Sequence, residues 1–151
     1  MKKQTQLIRS DTDYAMRMLV YLALWGAAKP VLAATLSETQ GVPIEFAEKI
    51  LRRLVKAGLL RSSRGRGGGF TLAQNPKQIS LLAVMEAVQG PLMVRQCLLD
   101  DDACPAHPSC PVSTELRKLQ ESLRKSMQRL TLARIIEARR GIFSAESKLS
   151  R

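Results

Sequence analysis

Three cysteines, Cys97, Cys104 and Cys110, lie within 14 residues, and no others occur in the 151-residue chain. Six residues separate the first pair and five the second, and the only histidine, His107, falls in the second gap. An odd number of thiols does not suit a disulfide framework. Clustered thiolates are ligands for zinc and for iron–sulfur clusters. Three of them leave one coordination position unfilled. A zinc site of three cysteines and His107 meets the count, although the Cys-x2-His-x2-Cys spacing is crowded. Three unligated thiols in a surface loop would be an oxidation liability. The residue types therefore point to a metal or cluster site and leave the choice between iron–sulfur and zinc open.

A second chemistry is written in charge. Lys and Arg number 24 against 13 Asp and Glu, a formal net charge of +11. Residues 49–66 hold seven cations and no acid: Lys49, Arg52, Arg53, Lys56, Arg61, Arg64 and Arg66. Such a block seeks an anionic partner, nucleic acid first. Aromatic residues are only 4%, which argues against a stacking surface for single strands. The cations are dispersed over a chain that is 45% hydrophobic, unlike a basic amphipathic terminus lying on a membrane. No apolar run is long enough to span a bilayer, and no signal core precedes Asp11 and Asp13. A cytoplasmic location is expected. An enzyme is disfavoured: there is no nucleophile elbow, no HExxH and no Walker or G-x-G-x-x-G loop.

These groups need a scaffold, and periodicity supplies one. Residues 10–26 read as a helix, with Tyr14, Met18, Tyr21, Leu22 and Trp25 on one apolar face. Ser10 or Asp11 is its expected cap. A short helix is expected at 31–41, with Thr35 and Glu38 as a capping box and Gly41 as its stop. Pro43 opens a third helix that runs to about Ala57, with Gly58 beyond it. Ala47, Ile50, Leu51 and Leu54 form its apolar side. Glu45, Lys49, Arg52, Arg53 and Lys56 form a polar stripe, ordinarily a solvated face. The concentration of cations on that stripe favours phosphates. Leu59–Ser63 and Phe70–Leu72 then read as strands around a turn with four glycines in six positions, a β-hairpin carrying Arg64 and Arg66.

The expected fold is mainly α: a winged helix-turn-helix with a small hairpin wing, followed by a long C-terminal dimerisation helix. The third helix would enter the major groove. Glu45 can accept from a cytosine amino group and Lys49 can donate to guanine. Phe46 touches a thymine methyl or packs in the domain. Arg52, Arg53 and Lys56 suit phosphates, and Arg64 and Arg66 a minor groove or the backbone beside it. A helix is expected at 80–89, then a loop holding the cysteines and Asp100–Asp102, then a long helix from about Ser113. Leu116, Leu119, Leu123 and Leu130 recur there with coiled-coil spacing, with Met127 beside them. Thr131–Ile136 restarts a short helix, and the chain from Gly141 onward reads as frayed. The parts are residues 1–76 for the DNA-binding domain, 77–112 for connecting helix and cysteine loop, 113–140 for dimerisation, and 141–151 for a tail.

Residues 54–73, LVKAGLLRSSRGRGGGFTLA, resemble the wing signature of the Rrf-two family of bacterial repressors. Residues 11–23, DTDYAMRMLVYLA, are similar to its first helix, above all in the nitric-oxide-sensing NsrR branch. The cysteine loop before a long helix resembles the branch that includes IscR and NsrR. The resemblance covers about residues 7–138. It implies a homodimer on a pseudo-palindromic operator, switched by an iron–sulfur cluster on Cys97, Cys104 and Cys110 that senses nitric oxide, redox state or iron supply. In IscR-like members a histidine three residues past the last cysteine completes a 2Fe–2S site, and Ser113 stands there in this chain. In NsrR-like members an aspartate of the partner's first helix completes a 4Fe–4S site, and Asp13 aligns with it. The resemblance thus favours 4Fe–4S. The first cysteine gap is slightly longer than the family's, so His107 stays open as a substitute ligand. Two other classes remain: a zinc-bound or thiol-sensing regulator on the same DNA domain, and a regulator controlled by a protein partner.

Overall fold

The computed structural model describes residues 6–27, 29–98 and 110–138. Cys104, His107, Asp100–Asp102 and the tail from Gly141 lie outside the described residues, and of Cys97 only the backbone is described. The first helix, α1, spans Ser10–Trp25. Ala15, Met18, Leu19 and Leu22 are its buried face, while Trp25 is 63% exposed. The apolar face is therefore rotated from the expected one. Asp11 takes a buried place, and Tyr14 and Tyr21 are half-buried flanks. The expected cap also differs. Arg9 occupies the cap position without a side-chain cap bond. Asp11 is drawn into the protein instead, where Arg9 and Arg53 face its carboxylate.

The second helix, α2, spans Ala33–Gln40, and the expected Thr35–Glu38 capping box does not form. Thr35 lies inside the first turn. The cause is tertiary. Val31 pairs with Phe70, each N–H donating to the other's carbonyl at 3.0 and 2.8 Å. That pairing keeps the chain extended up to Leu32, so the helix starts directly after it. Gly41, at φ 63°, ends α2 in the left-handed conformation that suits glycine. The turn is closed by Ser37 Oγ donating to the Val42 carbonyl at 2.6 Å.

The third helix, α3, spans Ile44–Lys56, with Pro43 as its cap residue one position before the expected place. Ala47, Ile50, Leu51 and Leu54 are buried, as their spacing predicts. Strands β1 (Leu60–Ser63) and β2 (Gly69–Leu72) pair antiparallel, Leu60 opposite Leu72 and Ser63 opposite Gly69. The root of this wing presses on the segment before α2. A Cβ on Gly69 would stand 2.6 Å from the Val31 carbonyl oxygen, and φ there is +146°. Gly69→Ala is expected to cost about 2–3 kcal/mol, through clash and backbone strain together. A urea midpoint equal to that of the unsubstituted chain would remove this contact from the account.

Helix α4 spans Leu81–Gln89, and Ser80 caps it by accepting from the Ala83 N–H at 3.2 Å. A short 3-10 turn occupies Gln96–Leu98. Helix α5 spans Pro111–Arg129, starting two residues before the expected Ser113. It stops before Leu130, which the leucine spacing had placed in the seam. The Leu130 carbonyl instead accepts from the Leu81 N–H, and Leu132 N–H donates to Ile79, both at 2.8 Å. These bonds hold the chain extended beside the start of α4, and a further helix, α6, follows at 132–138. The core is continuous from α1 to α4 and includes Met127, Leu132 and Ile136. Arg124 joins α5 to α4 by an ion pair with Glu86 at 2.7 Å.

Candidate nucleic-acid interface and cysteine loop

Helices α2 and α3, the Gly41–Pro43 turn and the β1–β2 hairpin make a helix-turn-helix followed by a wing. Burial of Ala47, Ile50, Leu51 and Leu54 fixes which side of α3 faces away from the core. Glu45 and Lys49, one turn apart, are exposed on that side. Arg52 and Lys56 continue it. Arg52 is 71% exposed and only loosely paired, 3.7 Å from Glu48. Arg64 and Arg66 are exposed at the hairpin turn, and Arg61 on β1. Lys49, Lys56, Arg61, Arg64 and Arg66 make no ion pair among the described residues. Cations left unpaired by the fold are available to phosphates without first breaking an internal bond.

Two residues expected at the same surface are otherwise engaged. Phe46 is half-buried and meets the Tyr14 ring edge-on, centroids 6.0 Å apart at 89°. It packs α3 on α1, the simpler of its two expected roles. Arg53 turns inward, where its guanidinium donates to the Val88 carbonyl at the end of α4 and lies 3.8 Å from the Asp11 carboxylate. Sequence reasoning offered Asp11 only as a helix cap and missed it as a buried ion-pair partner. The signal was present: Asp11, Ala15, Met18 and Leu22 share one helical face, so a carboxylate stood in line with core residues.

At the other site, Cys110 is the residue before α5 and is partly exposed. Its thiol is held below the ordinary cysteine range, first by the backbone N–H of Ser113 and then by that of Val112. A helix N-terminus favours the thiolate in this way. Ser113 is itself turned back, its Oγ donating to the Cys110 carbonyl at 2.8 Å. Asp13 is exposed on the first turn of α1, and Arg17 holds it at 2.9 Å. Arg17 also lies over the Tyr14 ring at 5.7 Å. Asp13, Arg17, Tyr21 and Trp25 of α1, Gln40 of α2 and Ile135 of α6 line an open cavity of about 560 Å³. No metal-ligand group of three or more side chains occurs among the described residues.

No helix among the described residues is long and apolar enough to cross a membrane. The profile of the Rrf2 family, described as an iron-dependent transcriptional regulator, matches residues 8–138. The HTH-type transcriptional regulator IscR of Serratia proteamaculans is 32% identical over 129 residues, covering 85% of this chain and 78% of that protein. The HTH-type transcriptional repressor NsrR of Streptomyces coelicolor is 31% identical over 131 residues, covering 86% and 88%. The solved structure of CymR, the global cysteine regulator of B. subtilis, shares the fold at a TM-score of 0.72 and 20% identity, covering 89% and 98%. T. potens IscR does so at 0.67 and 22%, covering 91% and 88%. With its winged helix-turn-helix in place, the chain belongs to the Rrf2 family: it is a DNA-binding transcriptional regulator and not an enzyme.

Proposed function

We propose that the chain acts as a homodimeric repressor whose hold on a pseudo-palindromic operator is switched by an iron–sulfur cluster, of 4Fe–4S type. The observation that carries the DNA half of this reading is the row of exposed cations on α3 and the wing that the fold leaves unpaired. Glu45 and Lys49 meet base edges, Arg52 and Lys56 the flanking phosphates, and Arg64 and Arg66 the minor groove. The dimer half rests on α5. Leu123 is half-buried against the chain's own core and Leu116 is half-buried, while Leu119 is 49% exposed and Val112 61% exposed. An apolar row left open along a helix of 19 residues suits a second copy of that helix.

Cys97, Cys104 and Cys110 would hold the cluster, with Asp13 of the partner subunit as the fourth ligand and His107 as its substitute. The donor set fits: ligation needs thiolates, and Cys110 is held toward that form by the N–H groups opening α5. When bound, the cluster supplies a cross-link between protomers that nitric oxide, oxidation or iron loss can break. The chain's own residues do the rest. Arg17 holds the Asp13 carboxylate on α1 and takes it back when it is released. The spacing of the two winged domains then relaxes, and a two-fold operator tolerates little misfit.

Selection from a randomised duplex pool tests the reading. The purified chain should enrich a two-fold symmetric site with half-sites about 10 bp apart, or a multiple of that. Leu119→Glu should sediment as a monomer and lose that site. An enriched site without symmetry, or none, would overturn the proposal.

A further inference from the structure

Arg52 and Arg53 are neighbours on the cationic side of α3, yet the fold treats them differently. The Arg52 side chain is 71% exposed, whereas that of Arg53 is 39% exposed and its Nη1 faces two acceptors at once. Arg53 Nη1 donates to the carbonyl of Val88, in the last turn of α4. That carbonyl has no partner within its own helix, and a cation suits the negative end of a helix dipole. The same guanidinium lies 3.8 Å from Asp11 Oδ2, on the first turn of α1. Asp11 is only 9% exposed, and Arg9 closes on it at 2.8 Å. Gln89 completes the knot: its Oε1 accepts from Thr12 Oγ1 at 2.7 Å and Arg9 N–H at 3.1 Å, and its Nε2 donates to the Leu7 carbonyl at 2.9 Å.

We propose that Arg53 is a positioning residue and not a phosphate contact: through Asp11 and the Val88 carbonyl it clamps α3 to α1 and α4, and so sets the depth and tilt at which α3 meets DNA. The proposal rests on the reading that α3 is the DNA-entering helix. Three elements converge on one guanidinium, and the carboxylate it faces is buried between Arg53 and Arg9. The two N–H groups of Arg53 Nη1 point in fixed directions, one for each acceptor, whereas a lysine ammonium is a rotating point charge on a stem one atom shorter. The clamp also ties α3 to the turn of α1 that carries Asp13, two residues beyond Asp11.

The test uses the full chain and the duplex that the unsubstituted chain enriches from the random pool. Operator affinity is measured against salt for Arg53→Lys, Arg53→Gln, Asp11→Asn and the Asp11→Asn/Arg53→Gln pair, at a temperature where circular dichroism shows each folded. Arg52→Gln is the control for a phosphate contact. Each clamp variant should bind about tenfold more weakly with an unchanged salt slope, Arg53→Lys as weakly as Arg53→Gln. The pair should bind no more weakly than its worse member, because both changes break one unit. Arg52→Gln should instead lower the slope by about one ion per protomer and add to Asp11→Asn. If Asp11→Asn does not fold, Arg53→Lys set against Arg52→Lys carries the comparison, and only the former should lose affinity. The proposal is overturned if Arg53→Lys binds as the unsubstituted chain does, or if Arg53→Gln lowers the slope as Arg52→Gln does. An unsubstituted chain that enriches no duplex removes the DNA reading itself, and the clamp's role with it.

Discussion

Raising monovalent salt from about 50 to 200 mM is expected to weaken operator binding by about a thousandfold. The chain carries +11 formal charges, and the stretch 49–66 holds seven cations without an acid. The fold removes Arg53 from that set by turning it inward. It leaves Lys49, Arg52, Lys56, Arg61, Arg64 and Arg66 exposed. If half of these neutralise phosphates, the dimer makes about six contacts, and the logarithmic slope is about −5. Elsewhere the charges are more balanced: residues 77–151 hold 12 cations against eight acids. Arg64→Ala should flatten the slope by about one ion per protomer. Fluorescence anisotropy over a salt series reads both quantities, and a flat response would disconnect the charge block from DNA.

Cys110→Ala is expected to remove all bound iron and acid-labile sulfide from anaerobically purified protein, together with its visible absorbance. Cys97→Ala and Cys104→Ala should do the same. Three thiolates are already one ligand short of a closed site, and two cannot retain a cluster against dilution. Cys110 precedes α5 and stays outside the hydrophobic core, so its loss should leave the urea midpoint of the cluster-free chain within about 0.5 kcal/mol. Operator binding should fall with the iron, since the proposed tie between protomers goes with it. Unsubstituted protein without iron and sulfide would end the cluster reading. Zinc in their place, one per chain, would point to the three cysteines with His107.

Elements whose causes lie in neighbouring residues were legible in the sequence. The wing is an example: a run of glycines between strand-like residues has few other local solutions, and the hairpin forms where expected. The buried row of α3 is likewise in place, and the helix expected at 80–89 forms with Leu81, Leu82, Val84, Met85 and Val88 buried. The failures share a different cause. Val31 pairs with Phe70, 39 positions on, and this moved the start of α2 past its expected capping box. Leu130 was counted into the long helix because the leucine spacing runs on, but its carbonyl is claimed by Leu81. Of the sites, the cationic row is described, while Cys104 and His107 lie outside the described residues.

By itself, the sequence determined the repertoire: a basic helix, a glycine-tipped wing, a three-thiol loop and a long helix with an apolar row. Each rests on periodicity, turn chemistry or composition, which act over a few residues. Only the tertiary structure decided how like residues divide their work. Asp11 and Asp13 stand two apart on one helix, yet the first is buried under two guanidiniums and the second is exposed beside Arg17. Arg52 and Arg53 are adjacent, yet one is offered to solvent and the other is spent on α1 and α4. A shift of one position turns a side chain by about 100° around a helix. Whether that turn ends in water or against another helix depends on how the helices pack, and packing is a property of the whole core.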